Sequence, residues 1–245
     1  MTPPYRPGWK GSIQNQILTR RREEADLLTY PANRLVEIIR DVGFACEGCG
    51  RCCTASYNGH VFLLERDLPY LRRYHPDALV PAPDFEYGDQ HGTLYVSGYA
   101  LRVHGDGRCT FLDDDNRCRI YDNRFSICCI YPYMLHREPD GDGVVDWRQI
   151  AGLGDHGEYH CEIDSEEAGR IADLVFSYEL DFIRQQIGFW EAIDRLFDEE
   201  NLRHVRKAYD QALRTYRKGE PVRVLVYAGG SFEEHLVKID DHRGF

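Results

Sequence analysis

The sequence predicts an α+β protein: an irregular, cysteine-rich core with short hairpins, flanked by N-terminal and C-terminal helices. Three observations carry that reading. Apolar residues recur at helical spacing near both ends of the chain. All nine cysteines fall between residues 46 and 161. Within that stretch the apolar runs are short, alternate in places, and are broken by Gly, Asp and Asn.

The elements follow in order. In "TYPANRLVEIIRDVGF", Pro31 stands near a helix start, Leu35, Ile38 and Ile39 mark one face, and Gly43 lies near the stop. "LLERDLPYLRRYHP" (63–76) predicts a short helix ending before Pro76. "GTLYVSGYALRV" (92–103) alternates and reads as strand. "CTFLDDDNRCRIY" (109–121) reads as a hairpin with Asp113, Asp114 and Asp115 in its turn. Asp164 and Glu167 form a capping-box pattern ahead of Ile171, Leu174, Val175, Tyr178 and Phe182. The stretch from Phe189 to Gly219 continues as one or two amphipathic helices, and "PVRVLVYAG" (221–229) is a strand candidate. Residues 1–45 are thus expected as an N-terminal helical segment and 46–162 as a cysteine-cluster domain. Residues 163–245 are expected as a mainly helical region packed on the same core.

At 245 residues the chain can bury a core without disulfides or metals as staples. Crowded cysteines therefore need a chemical reason. A net charge of −11 argues against nucleic acid, which needs clustered Lys and Arg. The one basic run, Arg20-Arg21-Arg22, meets Glu23 and Glu24 at once and reads as a solvated helix face. The N-terminal "MTPPYRPGWKGSIQNQ" has no apolar stretch of a secretory signal, and no apolar run is long enough to span a bilayer. The expectation is a cytoplasmic protein without membrane insertion. Its reducing surroundings and the odd cysteine count both disfavour a disulfide framework.

The first four cysteines lie in "CEGCGRCC" as C-x2-C-x2-C-C: Cys46, Cys49, Cys52 and Cys53. Cys109 and Cys118 follow, then the adjacent pair Cys128-Cys129, then Cys161. Thiolates are soft ligands that suit zinc, copper(I) and iron–sulfur clusters. The C-x2-C spacing lets a tight turn aim two sulfurs at one centre, and Gly48 and Gly50 relax the backbone between them. Adjacent residues tend to point different ways. Cys52 and Cys53 are therefore expected to serve two sites, or to leave one thiol as packing; the same holds for Cys128 and Cys129.

"CEGCGRCC" together with "CTFLDDDNRCRIYDNRFSICCIYP" resembles the YkgJ-type cysteine-cluster family, described as zinc- or iron-chelating. Cys109, Phe111 and Leu112 fit one block of its pattern. Cys118, Ile120 and Tyr121 fit the next, and Arg124, Cys128, Tyr131 and Pro132 the last. Cys161 stands where a downstream cysteine is expected. The resemblance covers about residues 44–162. Phe125 replaces the family's usual Pro, and Cys129 its usual Arg, which marks Cys129 as the non-ligand. Family members are similar to parts of flagellin lysine methylating enzymes that use a [4Fe–4S] cluster, which implies an iron–sulfur centre here.

The expected ligand set is then Cys46, Cys49, Cys52, Cys53, Cys109, Cys118, Cys128 and Cys161, holding an iron–sulfur cluster (4Fe–4S) or zinc. Eight thiols could hold one cluster plus a zinc, or leave some off the metal. An active centre would support electron transfer or a protein-modifying reaction on a protein substrate. The alternative is a structural zinc module that binds a protein partner. His156 and His160 sit at i and i+4, but Gly154 and Gly157 favour a loop with surface histidines. "PDGDGVVD" (139–146) lacks the later ligands of a calcium loop and reads as a turn. The Gly-Gly of "VLVYAGGSFEEH" falls far short of a nucleotide motif.

Overall fold

The computed structural model describes residues 9–133, 154 and 156–245, with the side chains of 9–11 left aside. The 139–146 stretch lies outside the described residues. The fold is α+β.

Helix α1 (Trp9–Thr29) leads into α2 (Ala32–Val42). Pro31 caps α2, and Gly43, at φ 54°, ends it by donating its N–H to the Ile39 carbonyl. Arg20 and Arg21 are tied up by Glu23 and by Glu191, so the basic run is a paired helix face. A one-turn helix α3 (Ala55–Asn58) and strand β1 (Phe62–Leu63) come next. Helix α4 (Leu68–Tyr74) stops before Pro76, whose ring cannot follow a helical residue.

Strands β2 (Leu79–Pro81), β3 (Tyr87–Gly88), β4 (Leu94–Val96) and β5 (Tyr99–Leu101) are short. The single strand expected over 92–103 is two strands in different sheets. The chain bends at Ser97-Gly98, where a Cβ on residue 98 would stand 2.7 Å from Gln185 Nε2 and 2.8 Å from the Phe62 ring. Gln185 holds the bend by donating to the Ser97 carbonyl at 3.0 Å. Alternation alone could not reveal this, because both half-strands are buried on every residue.

Helix α5 (Ser126–Ile130) precedes the long α6 (Ser165–Glu199). Asp164 caps α6 by accepting from Glu167 N at 2.8 Å. Ala168, Ala172, Val175, Ile183, Trp190, Ile193 and Phe197 form its buried stripe, against α1 and α2. Helix α7 (Arg206–Arg217) ends at Gly219. Strands β6 (Val222–Ala228) and β7 (Ser231–Val237) make a hairpin. Its turn is Gly229-Gly230, both with positive φ, as a tight two-residue turn requires. The Gly-Gly pair is therefore punctuation between strands.

The first sheet runs β1-β5-β2, all antiparallel. The second runs β3-β4-β6-β7, with β4 and β6 parallel and in register Leu94↔Val224. That pairing puts a strand from the cysteine-rich stretch beside one from the C-terminal stretch, in one apolar core. No helix among the described residues is long and apolar enough to cross a membrane.

Candidate metal centre

The first cysteine block starts where Ala45 pairs with Glu158 through both backbone bonds, 2.9 and 3.0 Å. Gly48 and Gly50 have φ of 69° and 72°, a left-handed conformation that side chains resist. Gly50 also lies against the 109–118 turn: a Cβ there would sit 3.0 Å from the Cβ of Asn116. The left-handed Gly50 caps a 3-10 turn over Arg51–Cys53. Consecutive residues on such a turn are about 120° apart, not opposed as in a strand. The sulfurs of Cys52 and Cys53 are consequently 4.0 Å apart and line the same cavity. The adjacent pair faces one space, contrary to the expectation of divergent side chains. Asn58 Nδ2 steadies the turn by donating to the Cys52 carbonyl at 2.7 Å.

The second block is bonded to the first. Cys109 N donates to the Cys53 carbonyl at 2.8 Å, and Thr54 bridges to Arg108. Leu112 pairs with Cys118 across a turn whose tip is organised by Asp113, which accepts from Asp115 N at 3.0 Å and Arg117 N at 2.7 Å. Those aspartates are turn residues, as their spacing suggests. The third block is α5. Asp67, nearly buried, accepts from Ser126 N (3.1 Å) and Ser126 Oγ (2.8 Å) with one oxygen and from Leu64 N (3.1 Å) with the other. This fixes the start of α5 and so the direction of Cys128.

Seven thiols line a cavity of ≈ 180 Å³ between these blocks: Cys46, Cys49, Cys52 and Cys53 from the loop, then Cys109, Cys118 and Cys128. Cys46 and Cys49 are exposed, whereas Cys109 and Cys128 pack against the apolar core. Phe111, Leu112 and Ile127 fill the wall between sulfurs. Cys129 and Cys161 do not line the cavity. Cys129, one position along α5 from Cys128, donates to the Arg124 carbonyl at 3.4 Å. Cys161 is held by its backbone N–H to Gly43 O, and its thiol lies 3.7 Å from Glu158 Oε2.

Burial pushes the Cys128 thiol well above its ordinary value and Cys109 up to about 11. Cys118 is raised, chiefly by burial as well. Cys52 and Cys53 titrate together: the hydrogen bond between their thiols eases ionisation of one and holds the proton on the other. Thiolates are the metal-binding form, so loading this cavity with metal must release protons.

Three polar wall residues had weak sequence signals. His156 is buried, not at the surface, and its Nε2 lies 2.9 Å from the Tyr131 hydroxyl. Tyr57 meets its ring edge-on at 4.6 Å. His160, by contrast, is exposed, so the two histidines share no face. Arg124 lies 3.8 Å over the Tyr121 ring at the cavity wall. His60 completes the set.

Seven thiols from three separate blocks thus line one cavity on a small, irregular scaffold. In agreement, residues 45–151 match the CxxCxxCC family, described as "Putative zinc- or iron-chelating domain". That stretch of the chain is thus similar to a zinc- or iron-chelating domain, in line with zinc or iron as the cofactor class. The match ends before Cys161. No curated protein and no solved structure matches the chain.

Proposed function

We propose that the seven cavity thiols hold a polynuclear iron–sulfur centre, with Cys52, Cys53, Cys109 and Cys128 at its base and Cys46 and Cys49 at its mouth. The number of thiols around one cavity, more than a single tetrahedral ion can use, carries this reading. A tetrahedral zinc–thiolate site, with bonds of about 2.3 Å, needs every sulfur about 3.8 Å from the others. Cys52 and Cys53 meet that spacing. Thiols spread around a cavity fit a centre of several atoms, each iron taking its own sulfur.

The exposed mouth favours an active centre over a closed structural one. When bound, such a centre supplies single-electron chemistry. The chain's own part is to gather the sulfurs on three tethered blocks, to keep water from the base with Phe111, Leu112 and Ile127, and to set Arg124 beside the accumulated negative charge. A cytoplasmic site of action and a protein substrate or partner belong to the same proposal. Structural zinc is the competing reading, favoured by the 4.0 Å pair alone.

Anaerobic purification with iron, sulfide and zinc analysis and a visible spectrum decides between them. Iron and sulfide in step with a brown absorbance are expected. Colourless protein with stoichiometric zinc would end the iron–sulfur reading.

A further inference from the structure

Among the described residues the sheet β3-β4-β6-β7 ends in two unlike edges. At one edge β3 is two residues long. At the other β7 is seven, and it lacks the devices that usually close an edge. It has no Pro, and it pairs one to one with β6 from Ala228↔Ser231 to Val222↔Val237, so no bulge turns it away. Its two carboxylates are engaged within the chain. Glu233 accepts from Arg72 Nη2 at 2.7 Å and from the Tyr99 hydroxyl at 2.6 Å, and Glu234 accepts from Arg223 Nη2 at 2.8 Å. Leu236 is 73% exposed, more than any other large apolar side chain among the described residues. The Gly229-Gly230 turn decides which backbone groups of β7 point outward. In a two-residue hairpin the flanking pair, here Ala228 and Ser231, exchanges both bonds, and hydrogen-bonded pairs then alternate. Ser231, Glu233, His235 and Val237 therefore bond to β6, whereas Phe232, Glu234 and Leu236 turn their N–H and C=O groups away from it.

We infer that β7 pairs with β7 of a second copy of this chain, antiparallel, about a two-fold axis at Glu234. The strand is self-complementary in that register. Phe232 of each copy meets Leu236 of the other, and Glu234 meets its own counterpart. All three outward residues of each copy then give and accept their backbone bonds. A shift of two residues either way leaves one of them unpaired, and a shift of one puts side chains on the wrong faces. The side chains agree with the backbone. Phe232 already packs on Tyr95 and Phe189, and Leu236 of the second copy would cover its open, half-buried side. Glu233 would stand across from His235, a carboxylate opposite an imidazole and not opposite a second carboxylate. The one like-charge pair is Glu234 with Glu234, and each is held by its own Arg223. The pairing closes at two copies, because the same edge serves both partners and β3 is too short to extend the sheet further. None of this depends on what the thiol cavity holds.

Sedimentation velocity of the full chain at rising concentration is the test, run at about 0.15 M salt to screen the like net charge of the two copies. A monomer–dimer equilibrium without larger species is expected. Two variants address the edge. Leu236→Lys sets a cation against Phe232 of the second copy. Glu234→Pro removes an outward N–H at the axis, which an edge strand tolerates where that N–H faces solvent. Each should raise the dimer dissociation constant at least about tenfold, a loss of about 1.4 kcal/mol. Circular dichroism checks that both variants fold. Amide hydrogen exchange of the unmutated protein, read by NMR at low and high concentration, needs no variant. The N–H groups of Phe232, Glu234 and Leu236 should exchange more slowly in the dimer, while those of Glu233 and His235, already bonded to β6, should change less. A chain that stays monomeric up to about 1 mM would overturn the inference. So would a dimer that both folded variants leave unchanged, or one in which the three outward amides exchange as fast as in the monomer.

Discussion

Removing the Asp67 carboxylate should loosen the whole metal-binding base. Asp67 accepts three bonds, from Leu64 N, Ser126 N and Ser126 Oγ, at 3.1, 3.1 and 2.8 Å. Bonds to a charged acceptor are worth about 1.5–3 kcal/mol each, but they are not additive. The serine hydroxyl is only half-buried and can turn to water, so that bond is partly replaceable. The two backbone N–H groups cannot turn. One belongs to Leu64, buried at 1% exposure, and leaving such a donor unpaired costs about 1–3 kcal/mol. Asp67→Ala should therefore cost about 3 kcal/mol, or a melting-point drop of about 6–12 °C for a chain of this size. Asp67→Asn keeps one acceptor oxygen and the shape, and should lose about half as much. Urea unfolding of the metal-free protein measures the first effect. Because α5 carries Cys128, metal affinity in the folded variant should fall as well, read by competition with a chromophoric chelator. An Asp67→Ala protein within about 0.5 kcal/mol of the parent, at the noise of a surface substitution, would refute the anchoring role.

The thiols divide by position: Cys128→Ser and Cys109→Ser should lose bound metal, whereas Cys129→Ser and Cys161→Ser should keep it, as measured by metal content after gel filtration. Equal loss in all four would place the centre elsewhere. A pH effect follows from His242, buried, with Nε2 donating to the Pro81 carbonyl at 2.7 Å and Nδ1 accepting from the Tyr216 hydroxyl at 2.6 Å. Burial holds its pKa below the ordinary 6.5, so the unfolded chain binds the extra proton first and stability falls as pH drops through about 6.5. His242→Gln should flatten that slope by up to about 1.4 kcal/mol per pH unit, and an unchanged slope between pH 7.5 and 5.5 would contradict the assignment.

The local elements were legible where one residue dictates them. Pro31 and Gly43 bound α2, Asp164 caps α6, and Asp113 shapes its turn, all through contacts within a few positions. The thiol blocks were legible through spacing. What stayed hidden was set by distant backbone. Cys161 carries the same side chain as its fellows, but bonding to Gly43 fixes it near Glu158. His156 sits in the expected loop, yet the Ala45–Glu158 bridge draws that loop inward and buries the ring. The partner of Asp67 is 59 positions away. The Cys52–Cys53 geometry depended on Gly50 adopting a left-handed conformation and starting a 3-10 turn, which composition does not announce.

The unequal setting of the seven thiols bears on how such a centre is made. Cys109 and Cys128 are part of the core packing, so the fold positions them with or without metal. Burial there favours the protonated thiol, which removes the cost of uncompensated negative charge in the metal-free protein. Cys46 and Cys49 lie on a loop where a Cβ at Gly48 would meet nothing within 4 Å. Little packing opposes their movement. The Cys52–Cys53 pair, in which the shared hydrogen bond eases ionisation of one thiol, joins the two regions. In the proposed centre, the exposed Cys46 and Cys49 sulfurs would be the first that a metal from solvent could reach. Burial keeps the Cys109 and Cys128 thiols protonated until a positive charge offsets their ionisation, so in the proposed centre the apolar core would set the base and the bound metal would order the mouth.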